Sequence, residues 1–368
     1  MQPIDTHTLA AAEIVLPCTD LNETLDFFTG VLGFRVDMIY PADSPRTAII
    51  SGYGTRLRLD GDSAAAPPTL SLACADDKFI SLSTASLTAP NGTRIEFRPL
   101  TTSLELPPLE SSLIVRKMAD NGDWGSGRAG MQYRDLIPGR LGGRYIVSHI
   151  RIPSGGPVPD YVHHHHILFQ IIYCYKGWVR LVYEDQGPPF IMNAGDCVLQ
   201  PPHIRHRVLE CSEGFEVVEI GCPAEHATLV DHEMELPTAD IRPERDFGGQ
   251  PFNFHKSADA AWIAWRIEGF EMRDTGIGMA TNGLVAVVVV RPSGKLTEIR
   301  TRHDTELLFN FVLVGSVTLD CEDGSHWDLA AGDSYTLPAE MNYTLSAFSA
   351  DLEILEITSP AAFKTMLI

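Results

Sequence analysis

From about residue 130 onward the chain is a succession of short apolar runs, such as FQIIYCYKGWVRLVYE and LFNFVLVGSVTLDCE, broken by Gly, Pro, Asn or Asp. Runs of this length bounded by turn-forming residues predict β-strands. The first hundred residues read differently. EIVLPC predicts a strand, and Asp20 with Glu23 three residues later has the spacing of a capping box ahead of LDFFTGVLGF. Leu21, Leu25, Phe28 and Leu32 then share one helical face. TAIISGYGTRLRLDG and APNGTRIEFRP, the second opened by Asn91-Gly92, add β-rich segments, which gives a βαβββ order. Between residues 100 and 130, LPPLESS and ADNGDWGSGRAG predict a linker with exposed turns.

An internal repeat organises the remainder. Arg134-Asp135 and Pro153-Ser154-Gly155 match Arg273-Asp274 and Pro292-Ser293-Gly294, with nineteen residues from Arg to Pro in each copy. Ala194-Gly195-Asp196 matches Ala331-Gly332-Asp333, Pro201 and Pro338 keep step, and the copies end alike in VVEIGCPA and ILEITSPA. The expected division is a βαβββ module over 1–115, a linker over 116–130 and two all-β barrels over 131–235 and 236–368.

Composition narrows the function classes. With 44% hydrophobic and 21% charged residues in 368, the chain is globular and long enough for two or three domains. A formal charge of −20 disfavours nucleic acid and anionic membranes as partners. No basic n-region opens the chain and no run reaches the ~18 apolar residues of a span, so a cytoplasmic location is expected. Seven scattered cysteines without a C-x-x-C pair argue against disulfides and thiolate zinc; Cys222, between Gly and Pro, is the one expected to be more exposed.

Two motifs in the first copy carry chemistry. His163-x-His165, four residues, Gln170, six residues and Gly177 form one; Gly195, five residues, Pro201 and His206 five beyond form the other. In both respects the copy resembles the cupin superfamily. The resemblance implies double-stranded β-helix (jelly-roll) barrels and a metal held by His163, His165, Gln170 and His206. Residues i and i+2 of a strand point to one face, so two histidines enter the barrel together. Three imidazoles and an amide oxygen leave coordination positions open and add no negative charge, which suits an anionic or enolisable substrate. The run of four histidines leaves His164/His166 as an alternative inward pair. Counting from Gly315 and Pro338, the second copy holds Thr301, His303, Leu308 and Tyr343 at these positions, so it is expected to be a structural barrel covering the first.

The first hundred residues resemble the glyoxalase/bleomycin-resistance (vicinal oxygen chelate) family, with the last strand reading Asn-Gly-x-Arg-Ile-Glu. That resemblance places Glu13 and Glu96 at the family's ligand positions. Members pair two such modules to build a site; this chain has one, so an inert or dimerising module is expected, and with it a homodimer.

The expected fold class is thus mainly β, two cupin barrels preceded by an α+β glyoxalase-like module. The expected cofactor is one divalent ion per chain, Fe(II) ahead of Zn, Mn or Ni. The expected substrate is a small acidic compound, either a carboxylate or a keto-enol, cleaved in a dioxygenase-like reaction. An isomerase or cyclase, or a non-catalytic ligand-binding bicupin, is the alternative. Arg151 and Arg134, from an arginine-rich stretch that also holds Arg140 and Arg144, are candidates to bind the acid. Tyr161, Tyr183 and Glu219 are candidates for proton transfer, although Glu219 has a twin in Glu356. His149 shares a face with Arg151, while Phe169 and Tyr173 are expected in the core.

Overall fold

The structure is a computed structural model that describes residues 6–75, 87–101, 103–119, 124–294 and 297–368. It divides into two compact units, Met1–Ser103 and Leu104–Ile368.

In the first unit, strands Arg35–Tyr40, Thr47–Gly52 and Thr55–Asp60 form an antiparallel meander, and Ile14–Pro17 joins its far edge parallel to Thr55–Asp60. A second sheet holds Thr69–Cys74, Arg94–Pro99 and Leu87–Thr88. Asp20 caps the helix Leu21–Asp26, accepting a hydrogen bond from the Glu23 amide at 3.0 Å. The α-helix is shorter than its apolar periodicity predicts, because the chain widens into a π-turn over Phe27–Val31. Leu21, Phe28 and Leu32 are still buried as the spacing requires, against Leu16, Ile50, Leu57 and Ile95.

The second unit contains both barrels. Strand Phe169–Lys176 of the first pairs with Cys197–Gln200 on one side and Phe215–Cys222 on the other, and Phe215–Cys222 continues to Ile146–Ile152 and Gln132–Asp135. The facing sheet is Phe190–Asn193, Trp178–Tyr183, His206–Cys211, His163–His166 and Ala227–Val230. The second barrel repeats this order with Leu307–Val314 at the equivalent central position.

The residue ranges expected for the barrels are exchanged at their edges. Ile114–Arg116, placed by its sequence at the junction of the first module and the linker, pairs with Ser334–Thr336 of the second barrel. Asn253–His255, placed in the second barrel, pairs with Cys197–Gln200 of the first. The expected linker is thus partly structural: Gly125–Ser126 adds a further strand beside Gln132–Asp135, while residues 120–123 lie outside the described residues. Each exchanged strand covers an edge that would otherwise present unpaired backbone groups.

The repeated Ala-Gly-Asp turns secure this exchange. Asp196 accepts hydrogen bonds from the Asn193 amide in its own turn and from the Ser257 amide of the incoming segment, both at 2.8 Å. Asp333 does the same with Ala330, at 2.9 Å, and Met118, at 2.6 Å. Gly195 sits at φ +93°, where an added Cβ would meet the Ser257 hydroxyl at 2.8 Å, so this turn requires glycine.

Between the barrels, alternate residues of the two large sheets meet. Phe169, Ile171, Tyr173, Val218 and Ile220 pack against Val287, Val289, Phe309, Phe311 and Leu355 in one core. Phe169 and Tyr173 are core residues as expected. Period-2 alternation then turns Gln170 and Ile172 the other way, into the first barrel.

Candidate metal centre

Strand His163–His166 has alternating burial, with His163 and His165 buried and His164 and His166 on the opposite face. His163 lies directly across from His206 in the antiparallel register. The imidazole nitrogens of His163, His165 and His206 that could ligate an ion all lie within 4.8 Å of one another. The outward pair turns instead toward His203, whose ring centroid is 5.6 Å from that of His164 and 5.1 Å from that of His166.

Each inward imidazole is held at its other nitrogen. His163 Nδ1 donates to the Tyr161 carbonyl at 2.8 Å, His206 Nδ1 to the Ile204 carbonyl at 3.1 Å, and His165 Nδ1 bonds the Thr228 hydroxyl at 3.0 Å. These bonds fix the ring orientations and put the acceptor lone pair on Nε2, the arrangement that metal-ligating histidines need, although Arg128 Nη2 lies 2.7 Å from that of His163. Burial lowers the pKa of all three, followed by Arg128 for His163 and by neighbouring imidazoles for His165 and His206, so the neutral form is favoured at pH 7. The donor set fits a divalent ion.

Gln170 belongs to a hydrogen-bonded chain along the cavity wall. The Tyr183 hydroxyl donates to Gln200 Oε1 at 2.6 Å, and Gln200 Nε2 donates to Gln170 Oε1 at 2.9 Å. The Gln170 side chain also hydrogen-bonds Glu219. Its amide oxygen keeps a second lone pair. Burial raises the Glu219 carboxyl to about 7, against the pull of Arg128 and of the Gln170 amide.

These groups face a cavity of about 250 Å³. Arg128, His165, Gln170, Gln200, His206 and Glu219 supply its polar wall, and Ile150, Ile152, Val179, Leu181, Phe215 and Val217 its apolar one.

Several expected site residues are placed elsewhere. Arg151 is on the face of Ile146–Ile152 opposite Ile150 and Ile152; it stacks 4.0 Å over Trp124 and donates to Gln132 at 2.7 Å. His149, on that same face, bonds Glu216 at 2.7 Å between aromatic rings. Arg134 is buried and donates to the Gly332 carbonyl, clamping the two barrels, while Arg273 lies beside the Gly195 turn. The shared Arg-Asp motif is therefore a barrel-to-barrel fastening. Tyr161 keeps its ring exposed and offers His163 its carbonyl. Tyr183 is fully buried with its hydroxyl committed to Gln200, so it orients and does not titrate. Arg144 reaches the Pro107 carbonyl and Glu306. Cys222 is buried, and burial pushes its thiol up to about 12. Glu13 and Glu96 are paired with Arg56 at 2.9 Å and Arg94 at 3.1 Å. Neither joins a cluster of three ligating side chains among the described residues.

Among the polar cavity residues that escaped the sequence reading are Arg128, Gln200, His226 and Thr228. Gln200 directly precedes the motif proline Pro201. Arg128 lay in glycine-rich sequence read as linker, although an arginine also precedes the second Arg-Asp motif, at Arg266.

The second barrel retains only His303 of the four donors. Thr301 stands opposite Tyr343 where His163 stands opposite His206. Arg266 enters from the segment before the barrel and grips Glu356 with both amino groups, at 2.5 and 2.6 Å, and the remaining void is about 20 Å³.

The chain is similar to the AraC-like ligand binding domain family over residues 147–214 and to the glyoxalase/bleomycin resistance protein/dioxygenase superfamily over residues 10–174. No curated protein matches it. Among solved structures it is similar to Bacillus subtilis oxalate decarboxylase, studied for its Mn(II) centres, with a TM-score of 0.51 at 15% identity over 73% of this chain and 82% of that one. A deletion mutant of the same enzyme aligns equally, with a TM-score of 0.51 at 15% identity and the same coverage of both chains. At this identity the likeness speaks to the fold, and it agrees with the two barrels, while the glyoxalase match agrees with the βαβββ unit. In fold the chain is a bicupin with a glyoxalase-like module in its first unit.

Proposed function

We propose that the protein is a metal-dependent enzyme acting on a small carboxylate or keto-enol compound that carries a hydrocarbon body. The observation that carries this reading is the clustering of three oriented imidazoles, two of which, His165 and His206, line a cavity with a large apolar wall. His163, His165 and His206, with Gln170, would hold the ion, Fe(II) ahead of Mn, Zn or Ni. Bound there without a compensating carboxylate, it would supply Lewis acidity toward a carboxylate or enolate oxygen. The solved bicupin of similar fold is named for a small carboxylate, oxalate, and bears Mn(II). Oxalate has no hydrocarbon to cover the apolar wall here; an aromatic or branched acid does, and each Å² it removes from water is worth about 25 cal/mol.

Glu219 is the proton-transfer group in this reading. It faces the cavity and is tied to Gln170, and Tyr183 and Gln200 hold that amide in place. A dioxygenase-like cleavage is the finer reading, favoured by the neutral three-histidine set and an apolar cavity able to admit dioxygen. An isomerase or decarboxylase reaction is favoured by Glu219.

Turnover of aromatic acids and diketones by metal-reconstituted protein, run in air and under nitrogen, tests both. Oxygen uptake matched to substrate loss is the expected result for cleavage; equal turnover under nitrogen assigns the proton-transfer chemistry. Absence of turnover and of metal uptake in any condition would refute the enzyme reading.

A further inference from the structure

We propose that Arg128 is the carboxylate anchor of the cavity and that it is released for that role by metal binding; this rests on the metal-centre reading above. His163 Nδ1 is a donor to the Tyr161 carbonyl, so Nε2 carries the one free lone pair of that ring. Arg128 Nη2 donates to this same Nε2 at 2.7 Å. One lone pair serves either an N–H or a metal ion. Occupation of the three-histidine site therefore displaces Nη2 from His163.

The guanidinium does not leave the cavity when that happens. Its Nη1 is bound to Asp160, which is buried and also accepts the Val208 amide at 3.0 Å. Asp160 thus acts as a pivot that keeps the cation at the wall while one amino group becomes available. In the second barrel the corresponding arginine, Arg266, has both amino groups on Glu356 and only about 20 Å³ of void beside it. In the first, Asp160 holds Arg128, Glu219 is left facing the cavity, and about 250 Å³ stays open. With Nη1 committed, Nη2 presents its two N–H donors from one nitrogen, which suits a carboxylate or enolate oxygen of a ligand whose body lies against Ile150, Leu181 and Val217.

Two consequences are measurable. Arg128 competes with metal, so its removal strengthens metal binding, both by freeing Nε2 and by withdrawing a positive charge from the ion's surroundings. An anion that takes Nη2 relieves the competition, so carboxylate and metal bind with positive and reciprocal coupling.

Mn²⁺ and Zn²⁺ affinities, read by chelator competition on the full chain with and without benzoate, are the test. The expected result is that benzoate tightens metal binding to the wild type by about fivefold or more. Arg128→Gln should bind metal several-fold tighter and lose the benzoate effect. Wild-type affinity indifferent to benzoate, or Arg128→Gln binding metal no tighter than wild type, would overturn the proposal while leaving the metal centre standing. Failure of the wild type to bind either metal would overturn both. The wild-type arm needs no variant, so a folding defect in Arg128→Gln does not leave the question open.

Discussion

Arg266 and Glu356 close the second barrel with a paired ion bridge at the register where the first barrel leaves Glu219 facing an open cavity. The two carboxylates occupy equivalent strand positions, so one sequence feature has opposite consequences in the two copies. What differs is the arginine. In one barrel it is spent on the glutamate; in the other, Asp160 holds it.

That difference predicts separable effects at equivalent positions. His206→Ala should reduce bound metal from about one per chain to none, with three protein donors left at best. Tyr343→Ala, at the matching site of the second barrel, should leave metal content unchanged and cost about 3 kcal/mol of stability by opening a core cavity. Elemental analysis and denaturant unfolding of the same preparations distinguish them; loss of metal in Tyr343→Ala would refute the assignment.

Gln200 is expected to act through Gln170. Gln200→Leu leaves the Tyr183 hydroxyl and the Gln170 amide without their partner, at a cost of about 2 kcal/mol. Metal affinity should fall by roughly tenfold to a hundredfold, as when other orienting partners are lost. A metal titration returning wild-type affinity would show that Gln170 needs no support.

Glu219 carries a pH signature in the metal-free protein. Its carboxyl is raised to about 7 in the fold, above the ordinary value near 4.3 in the unfolded chain. Between those two values the unfolded state has released the proton and the folded state retains it, so stability declines as pH rises through that window and is level above it. Glu219→Gln should abolish the decline, matching the wild type at pH 4 and exceeding it at pH 8 by up to about 4 kcal/mol. Urea unfolding of chelator-treated protein at the two pH values checks the sign.

Arg134→Ala is predicted to weaken the barrel-to-barrel fastening by roughly 3 kcal/mol, since it removes a buried charged donor from the Gly332 carbonyl. Benzoate affinity at matched temperature should not change. A selective loss of ligand binding without loss of stability would return Arg134 to the substrate site.

The repeat and the two barrels were legible in sequence because they depend on local spacing, and the resemblance to the cupin motifs named His163, His165, Gln170 and His206 as candidate donors. An i, i+2 pair shares a face on any strand, so spacing left His164/His166 as an alternative to the expected His163/His165; the fold buries the expected pair. The empty second barrel was legible for the same reason, through Thr301 and Tyr343. The helix at Leu21 announced itself through Asp20 but not its early widening at Phe27.

Chain spacing alone determined which residues line a strand face and the all-β character of the last two thirds, while the cupin resemblance named the candidate ligands. Tertiary structure alone decided the partners of the arginines. Arg134, Arg151 and Arg128 look alike in sequence, yet one clamps the barrels, one stacks on Trp124 and one reaches His163. A long cationic side chain takes whichever acceptor the packed fold brings within reach, and that acceptor lies tens or hundreds of residues away: Gly332 for Arg134 and Asp160 for Arg128. The exchange of Ile114–Arg116 and Asn253–His255 was hidden for the same reason, since edge pairing depends on which strand is left uncovered once both barrels have closed.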